Sequence, residues 1–173
     1  DPEDKKDFGK SIDRICKEAE GAVKKGYSFI ILSDRGVSRN KMSLPMLLAM
    51  GSAHHYLVKK SLRTQIGIIV ESGEPREVHH FALLFGYGAN CINPYLAYEL
   101  ISKLIEDKEL PLVLKKGIEN YREAVEKGIL KILSKMGIST LQSYKGAQVF
   151  EALGLGEEVI NKSFSGTVSR IGG

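Results

Sequence analysis

A chain of 173 residues with a formal net charge of +4, 43% apolar and 27% charged residues has an ordinary globular composition, and its length sets a prior of one domain. Two cysteines, Cys16 and Cys91, exclude a disulfide framework and a four-thiolate metal site and fit a reducing cytoplasm. No apolar run approaches the roughly 20 residues that span a bilayer, and the lysines alternate with acids rather than forming the basic and aromatic stripe of a nucleic-acid surface.

In chain order, Asp1–Lys6 is charged and is expected to fray. Phe8, Ile12, Ile15, Cys16, Ala19, Ala22 and Val23 then form a helical stripe that Gly26 stops. Ser28–Leu32 reads as a buried strand and Ser33–Lys41 as a polar, positively charged loop. A helix over about Leu44–Ser61 follows, with Ser43 as its cap and Pro45 in its first turn. Within it Gly51, Ser52 and Ala53 make a small patch that implies close packing.

The stretch Ile66–Glu99 is the clearest βα unit. Ile66–Val70 is a β-branched strand, and Glu71-Ser72-Gly73-Glu74 turns the chain. Pro75 suits the first helical turn, and Val78, Phe81, Ala82 and Phe85 line one helical face up to Gly86 and Gly88. Asn90-Cys91-Ile92 reads as a short buried strand, and Asn93-Pro94 opens a helix running to about Glu106. After a turn over Asp107–Leu112, a long helix covers Lys115–Lys135, closed by Gly137. Gly128 inside it costs about 1 kcal/mol relative to alanine and marks a close crossing.

Ile138–Leu141 is expected as a short strand, Gln142–Leu153 as a helix, Gly156–Lys162 as a short helix, and Ser163–Gly173 as a glycine-, serine- and threonine-rich tail. Three or four short strands, each followed by helices, define an α/β protein. A closed eight-fold barrel needs about 250 residues, so a partial βα barrel or a small parallel sheet flanked by helices is expected. The chain starts at Asp1 without methionine and stops at Gly172-Gly173, so a piece of something larger is also expected, with self-association through uncovered apolar surface.

Ligands of parallel α/β folds gather at the carboxyl ends of the strands. Ser33-Asp34-Arg35-Gly36, Glu71-Ser72-Gly73-Glu74, Asn93-Pro94 and Ser139-Thr140 are expected to share that edge. These groups either bind a small polar ligand or pair with one another and cap helices, with Asp34 and Arg35 as one such local pair. The histidines come as His54-His55 and His79-His80. Adjacent helical residues point about 100° apart, so these pairs chelate one ion poorly, and His54 reads as a buried, hydrogen-bonded histidine. Cys91 reads as a small core residue. Gly86-Tyr87-Gly88 follows a helix rather than opening one, unlike a dinucleotide loop, and Ser163–Thr167 offers backbone N–H groups to an anion or faces a neighbour.

Several blocks resemble the large (alpha) subunit of glutamate synthase. They are Ile30–Arg35, Val70–Ala82, Leu84–Ala89, Asn93–Ala97, Lys135–Tyr144 and Gly166–Arg170, in the family's order and covering Ile12 to Arg170. The resemblance implies a long enzyme with an N-terminal glutamine amidotransferase domain, a central α/β domain, an FMN-binding barrel carrying an iron–sulfur cluster, and a C-terminal β-helix. Ammonia from glutamine passes through a tunnel to the flavin site, meets 2-oxoglutarate, and the imine is reduced to glutamate. This segment resembles the latter part of the central domain, a degenerate relative of the flavin barrel, with residues 163–173 leading toward the FMN barrel.

The family's N-terminal cysteine nucleophile and three-cysteine cluster motif are absent here, and its main flavin segments lie beyond Gly173. No catalytic, cofactor or metal residue is therefore carried over. Ser33, Asp34, Arg35, Glu71, Glu74, His79, Asn93 and Ser139 are the candidates for a domain interface or a tunnel wall. The reading expected is a non-catalytic scaffold between the amidotransferase and FMN domains, whether these lie in the same chain or in separate subunits. The alternatives are a stand-alone small barrel binding FMN or a phosphorylated ligand, and an interaction module for separately encoded subunits.

Overall fold

Three short strands pair side by side, two of them rich in β-branched residues, and helices cover one face of the sheet they form. The computed structural model describes residues 5–172; the charged start 1–4 lies outside the described residues. Helix α1 (Lys5–Lys24) precedes strand β1 (Phe29–Ser33), α2 (Met46–Lys59), β2 (Gly67–Glu71), α3 (Val78–Gly86) and β3 (Cys91–Asn93). The strands run parallel in the order β1-β2-β3, with Ile31 opposite Ile69 and Ile69 opposite Cys91. Two parallel crossovers through α2 and α3 make this the partial βα arrangement that the sequence pattern implies.

Alternation along the strands decides what is buried. Ile30, Leu32, Ile68, Val70 and Ile92 face Val23, Met50, Leu57 and Leu84 from the helices. Ile68 and Val70 are fully buried, and each such side chain is worth about 1.5–3 kcal/mol. Among the described residues, no helical layer covers the opposite face. Phe29 and Ile31 are more than 60% exposed there, and Cys91, in register with Ile31 and Ile69, is exposed with them. The expectation of a buried Cys91 fails for this reason: it assumed the two-sided cover usual for parallel sheets.

Beyond the sheet, α4 (Tyr95–Glu106) and α5 (Leu114–Met136) pack on each other, and α5 also packs on α3. Phe81 and Ala82 of α3 meet Ile129 and Leu133 of α5. Gly128 is the close crossing point: a Cβ there would lie 2.4 Å from Val78 Cγ2. Gly137 ends α5 in the left-handed region, and the Ile138 N–H bonds back to Leu133 O at 2.9 Å. Ile138 thus packs under a helix end and pairs with no strand, which corrects the expected strand over Ile138–Leu141.

The expected helix over Gln142–Leu153 is also replaced. Only α6 (Leu141–Tyr144) is helical; Gly146 and Gln148 have positive φ, and the chain then enters β4 (Glu151–Leu153). After α7 (Glu157–Ser163), β5 (Val168–Ile171) pairs parallel to β4, so the region read as a tail carries a strand. Two further corrections concern helix starts. Pro75 lies upstream of α3, whose cap is Glu77, and Ser43 does not cap α2.

The small patch on α2 packs closely against α7. Ser52 and Ser163, both buried, share a hydrogen bond of 2.7 Å. A Cβ on Gly51 would lie 2.2 Å from the backbone oxygen of Ser163. Gly51→Ala is therefore expected to destabilise the chain by about 1–3 kcal/mol, although alanine is the better helix former by about 1 kcal/mol. A lowered urea midpoint at unchanged slope checks this, and a raised midpoint would refute the tight contact.

Candidate functional site

The carboxyl edge of the sheet holds most of the sequence-derived candidates. Ser33, Glu71 and Asn93 end the three strands in register, side by side. Glu71 is the hub. Its carboxylate accepts the Ser33 hydroxyl at 2.6 Å, the Arg35 Nε at 2.8 Å and the Asn93 amide at 3.4 Å. The Ser33 and Arg35 hydrogen bonds hold the Glu71 carboxyl below its ordinary range, and the same contact with Glu71 raises Arg35. Arg35 also reaches Glu99 at 3.5 Å and lies over the Tyr95 ring, 4.1 Å from its centroid.

Asp34 does not pair with Arg35. It is buried, accepts the Ser72 hydroxyl at 2.5 Å and the Gly73 N–H at 3.1 Å, and so fixes the turn after β2. Glu74 in that same turn accepts the Met46 N–H at 3.0 and 3.1 Å, supplying α2 with the N-terminal acceptor that Ser43 does not. Loss of solvent raises the Glu74 carboxyl, and the Met46 hydrogen bond works against that rise.

Six of the eight candidates thus lie at one edge, while His79 and Ser139 lie elsewhere. His79, on α3, meets the Phe150 ring edge-on at 6.3 Å. Ser139, with no strand before it, borders an apolar groove of about 450 Å³ beside Phe81, Tyr98 and Tyr121. The sequence reading missed Tyr95 and Glu99, although their i, i+4 spacing on α4 places both on one helical face. It also missed Arg63, which donates to His54 Nδ1 at 3.0 Å, to the Ile66 and Gly88 carbonyls at 2.6 Å each, and to the Asn90 side chain at 2.8 Å. His54 is thereby hydrogen-bonded as expected, but it is half-buried rather than buried. Among the described residues, no three His, Cys, Asp or Glu side chains converge as a metal cluster, and no helix is long and apolar enough to cross a membrane.

A family model described as the glutamate synthase central domain matches residues 3–156. The chain belongs to that family. It is 51% identical over 168 residues to a glutamate synthase [NADH] of Schizosaccharomyces pombe, covering 96% of this chain and 8% of that protein. Against the glutamate synthase [NADPH] large chain of Bacillus subtilis it is 46% identical, covering 96% of this chain and 11% of the relative. The ferredoxin-dependent glutamate synthase of Pyropia yezoensis is 46% identical, with 97% and 12% covered. The chain therefore spans about a tenth of the length of these glutamate synthases. Among solved structures, a mutant flavocytochrome b2 with benzoylformate aligns at a TM-score of 0.64 and 15% identity, over 76% of this chain and 31% of that one. The recombinant flavin-binding domain of baker's yeast flavocytochrome b2 aligns at 0.59 over 88% and 38%. These likenesses are of fold: the glutamate synthase segment shares part of a barrel with them.

Proposed function

We propose that this segment is a non-catalytic scaffold within glutamate synthase, joining the glutaminase and FMN domains and helping to enclose the path that ammonia takes between them. The parent reaction in this reading converts glutamine, 2-oxoglutarate and reducing equivalents into two glutamates. The observation that carries the scaffold role is the internal pairing at the sheet edge. Glu71 is engaged by Ser33, Arg35 and Asn93, Asp34 by Ser72 and Gly73, and Glu74 by the start of α2. These groups hold strands and helices together and leave no paired acid and base or nucleophile and base directed at a reacting atom.

The edge also suits a flavin phosphate poorly. A phosphate there needs free backbone N–H groups and excess positive charge. The Met46 N–H at the start of α2 already meets the Glu74 carboxylate, and Arg35 faces both Glu71 and Glu99. Relatives named for NADH, NADPH and ferredoxin match at 51%, 46% and 46%, which agrees with a part that electron-donor choice does not touch.

Titration of FMN into the chain, followed by flavin fluorescence, tests this reading; the chain has no tryptophan to add background. No saturable quenching is expected. Saturable binding at micromolar FMN would move the edge from scaffold to cofactor site.

A further inference from the structure

Strand β1 stands at the end of the sheet order, so one of its two edges has no strand beside it among the described residues. Hydrogen bonds at its two ends fix which groups face that edge. Ser28 O accepts the Gly67 N–H at 2.8 Å, and the Asp34 N–H donates to Glu71 O at 3.2 Å. Backbone groups alternate sides along a strand, so those of Ser28, Ile30, Leu32 and Asp34 face β2. The N–H and C=O groups of Phe29, Ile31 and Ser33 therefore face the free edge, where they meet no backbone partner among the described residues. A row of this kind is a template for a further strand.

A groove of about 590 Å³ runs along this edge. β1 from Ile30 to Asp34 forms one wall, Ile15 and Ala19 of α1 belong to another, and the loop after β1 borders the groove with Val37 and Met42. Phe29, Ile31, Val37 and Met42 are all exposed. The groove thus offers a line of backbone hydrogen bonds together with apolar surface, the combination that holds an extended apolar segment.

The helical layer indicates which segment. α2 connects β1 to β2, α3 connects β2 to β3, and both pack on one face of the sheet. α1 belongs to the same layer: it packs on α2 and contributes Ala19 and Val23 to the same core. It nevertheless borders a groove on the side away from β2. A helix so placed, leading into β1, suits a parallel strand on that side, joined through a right-handed crossover. A second copy of the chain suits the groove less well. An antiparallel pair of β1 strands has its two-fold axis normal to the sheet, so the two α1 helices would claim the same place. The relatives have ample chain for the role, since this segment covers 8%, 11% and 12% of three of them.

We infer that the free edge of β1 receives a β-strand from another part of the glutamate synthase chain, lying parallel to β1 and bonded to the backbone of Phe29, Ile31 and Ser33. The inference rests on membership in the family and not on the scaffold role, which the FMN titration answers separately.

Amide hydrogen exchange, resolved to single residues by mass spectrometry, tests this in the isolated chain and in the full-length glutamate synthase that contains it. In the isolated chain, Ile30 and Leu32 are expected to be protected, and Phe29, Ile31 and Ser33 to exchange freely. In the full-length enzyme, exchange at these last three is expected to slow by about 100-fold or more. Unchanged rates there would overturn the inference. Protection in the isolated chain that grows with its concentration would also overturn it, by assigning the edge to a second copy. Ile31→Pro in the full-length enzyme separates a bonded strand from a mere cover, because proline removes the central N–H of the free edge and spares the bonds to β2. The slowing at Phe29 and Ser33 is expected to weaken by about tenfold or more in Ile31→Pro and to persist in Ile31→Ala. Slow exchange that survives Ile31→Pro undiminished would overturn the inference. Should that variant fail to fold, the comparison of the two unaltered proteins decides.

Discussion

Gly88→Ala is expected to lower the unfolding free energy by about 2–6 kcal/mol, the sum of backbone strain and overpacking. Gly88 has φ +112°, where a side chain is strained in any surroundings. The added Cβ would also lie 2.1 Å from His54 Nδ1 and 2.7 Å from its Cγ. His54 has little room to yield, because its Nδ1 accepts from Arg63 Nε, and Arg63 is itself held by the carbonyls of Ile66 and Gly88. Asn90 closes the knot by accepting both an Arg63 guanidinium N–H and the Ile68 N–H, at 2.8 and 3.0 Å. One substitution thus disturbs α2, the entry to β2 and the turn into β3 together. Gly137→Ala is the control: φ is +70° there but nothing lies within 4 Å, so a loss of only about 1 kcal/mol is expected. Urea unfolding of the two variants decides, and equal losses would mean that the knot is not rigid.

The parts of this fold that were legible in the sequence are those that local chemistry determines. The β-branched runs Phe29–Leu32 and Ile66–Val70 and the periodic stripe of α1 specify their own structure, and Gly128 and the Gly51 patch announce close crossings because only small residues permit them. The C-terminal third was less legible. Gln142–Leu153 reads as a helix, yet positive φ at Gly146 and Gln148 turns the chain and sends Glu151–Leu153 into a strand that is completed only by Val168–Ile171. At the edge, the sequence placed Ser33, Glu71 and Asn93 together because each ends a strand. It could not show that Arg35 would choose Glu71, 36 residues away, over its neighbour Asp34. Arg63 gave no signal at all: its role depends on carbonyls that turns bring to it, and carbonyls carry no residue identity.

Acid is expected to weaken the fold well above the pH at which carboxylates titrate, and His54 is the cause. Burial first, then Arg63, His55 and Lys145, lower its pKa from 6.5 to about 3. The unfolded chain therefore binds a proton at this position through a range where the folded chain does not. Stability from His54 is complete above pH 6.5 and is lost as pH falls toward about 3. The slope over that interval is about 1.4 kcal/mol per pH unit, and the full loss is up to about 5 kcal/mol. His55, lowered by burial, acts in the same direction. Glu71 and Glu20, held below the ordinary 4.5 by their hydrogen bonds, add their losses only beneath that value. Glu74, raised by loss of solvent, opposes them, because its protonation relieves the folded state. The interval from pH 6.5 to 4.5 consequently excludes Glu71 and Glu20 and leaves the histidines opposed only by Glu74. His54→Asn keeps an acceptor for Arg63 Nε while removing this titration, so its stability should fall less steeply across that interval than that of the unaltered chain. If the variant falls equally, His54 is already solvated in the native state, and the Arg63 knot is looser than its hydrogen bonds indicate.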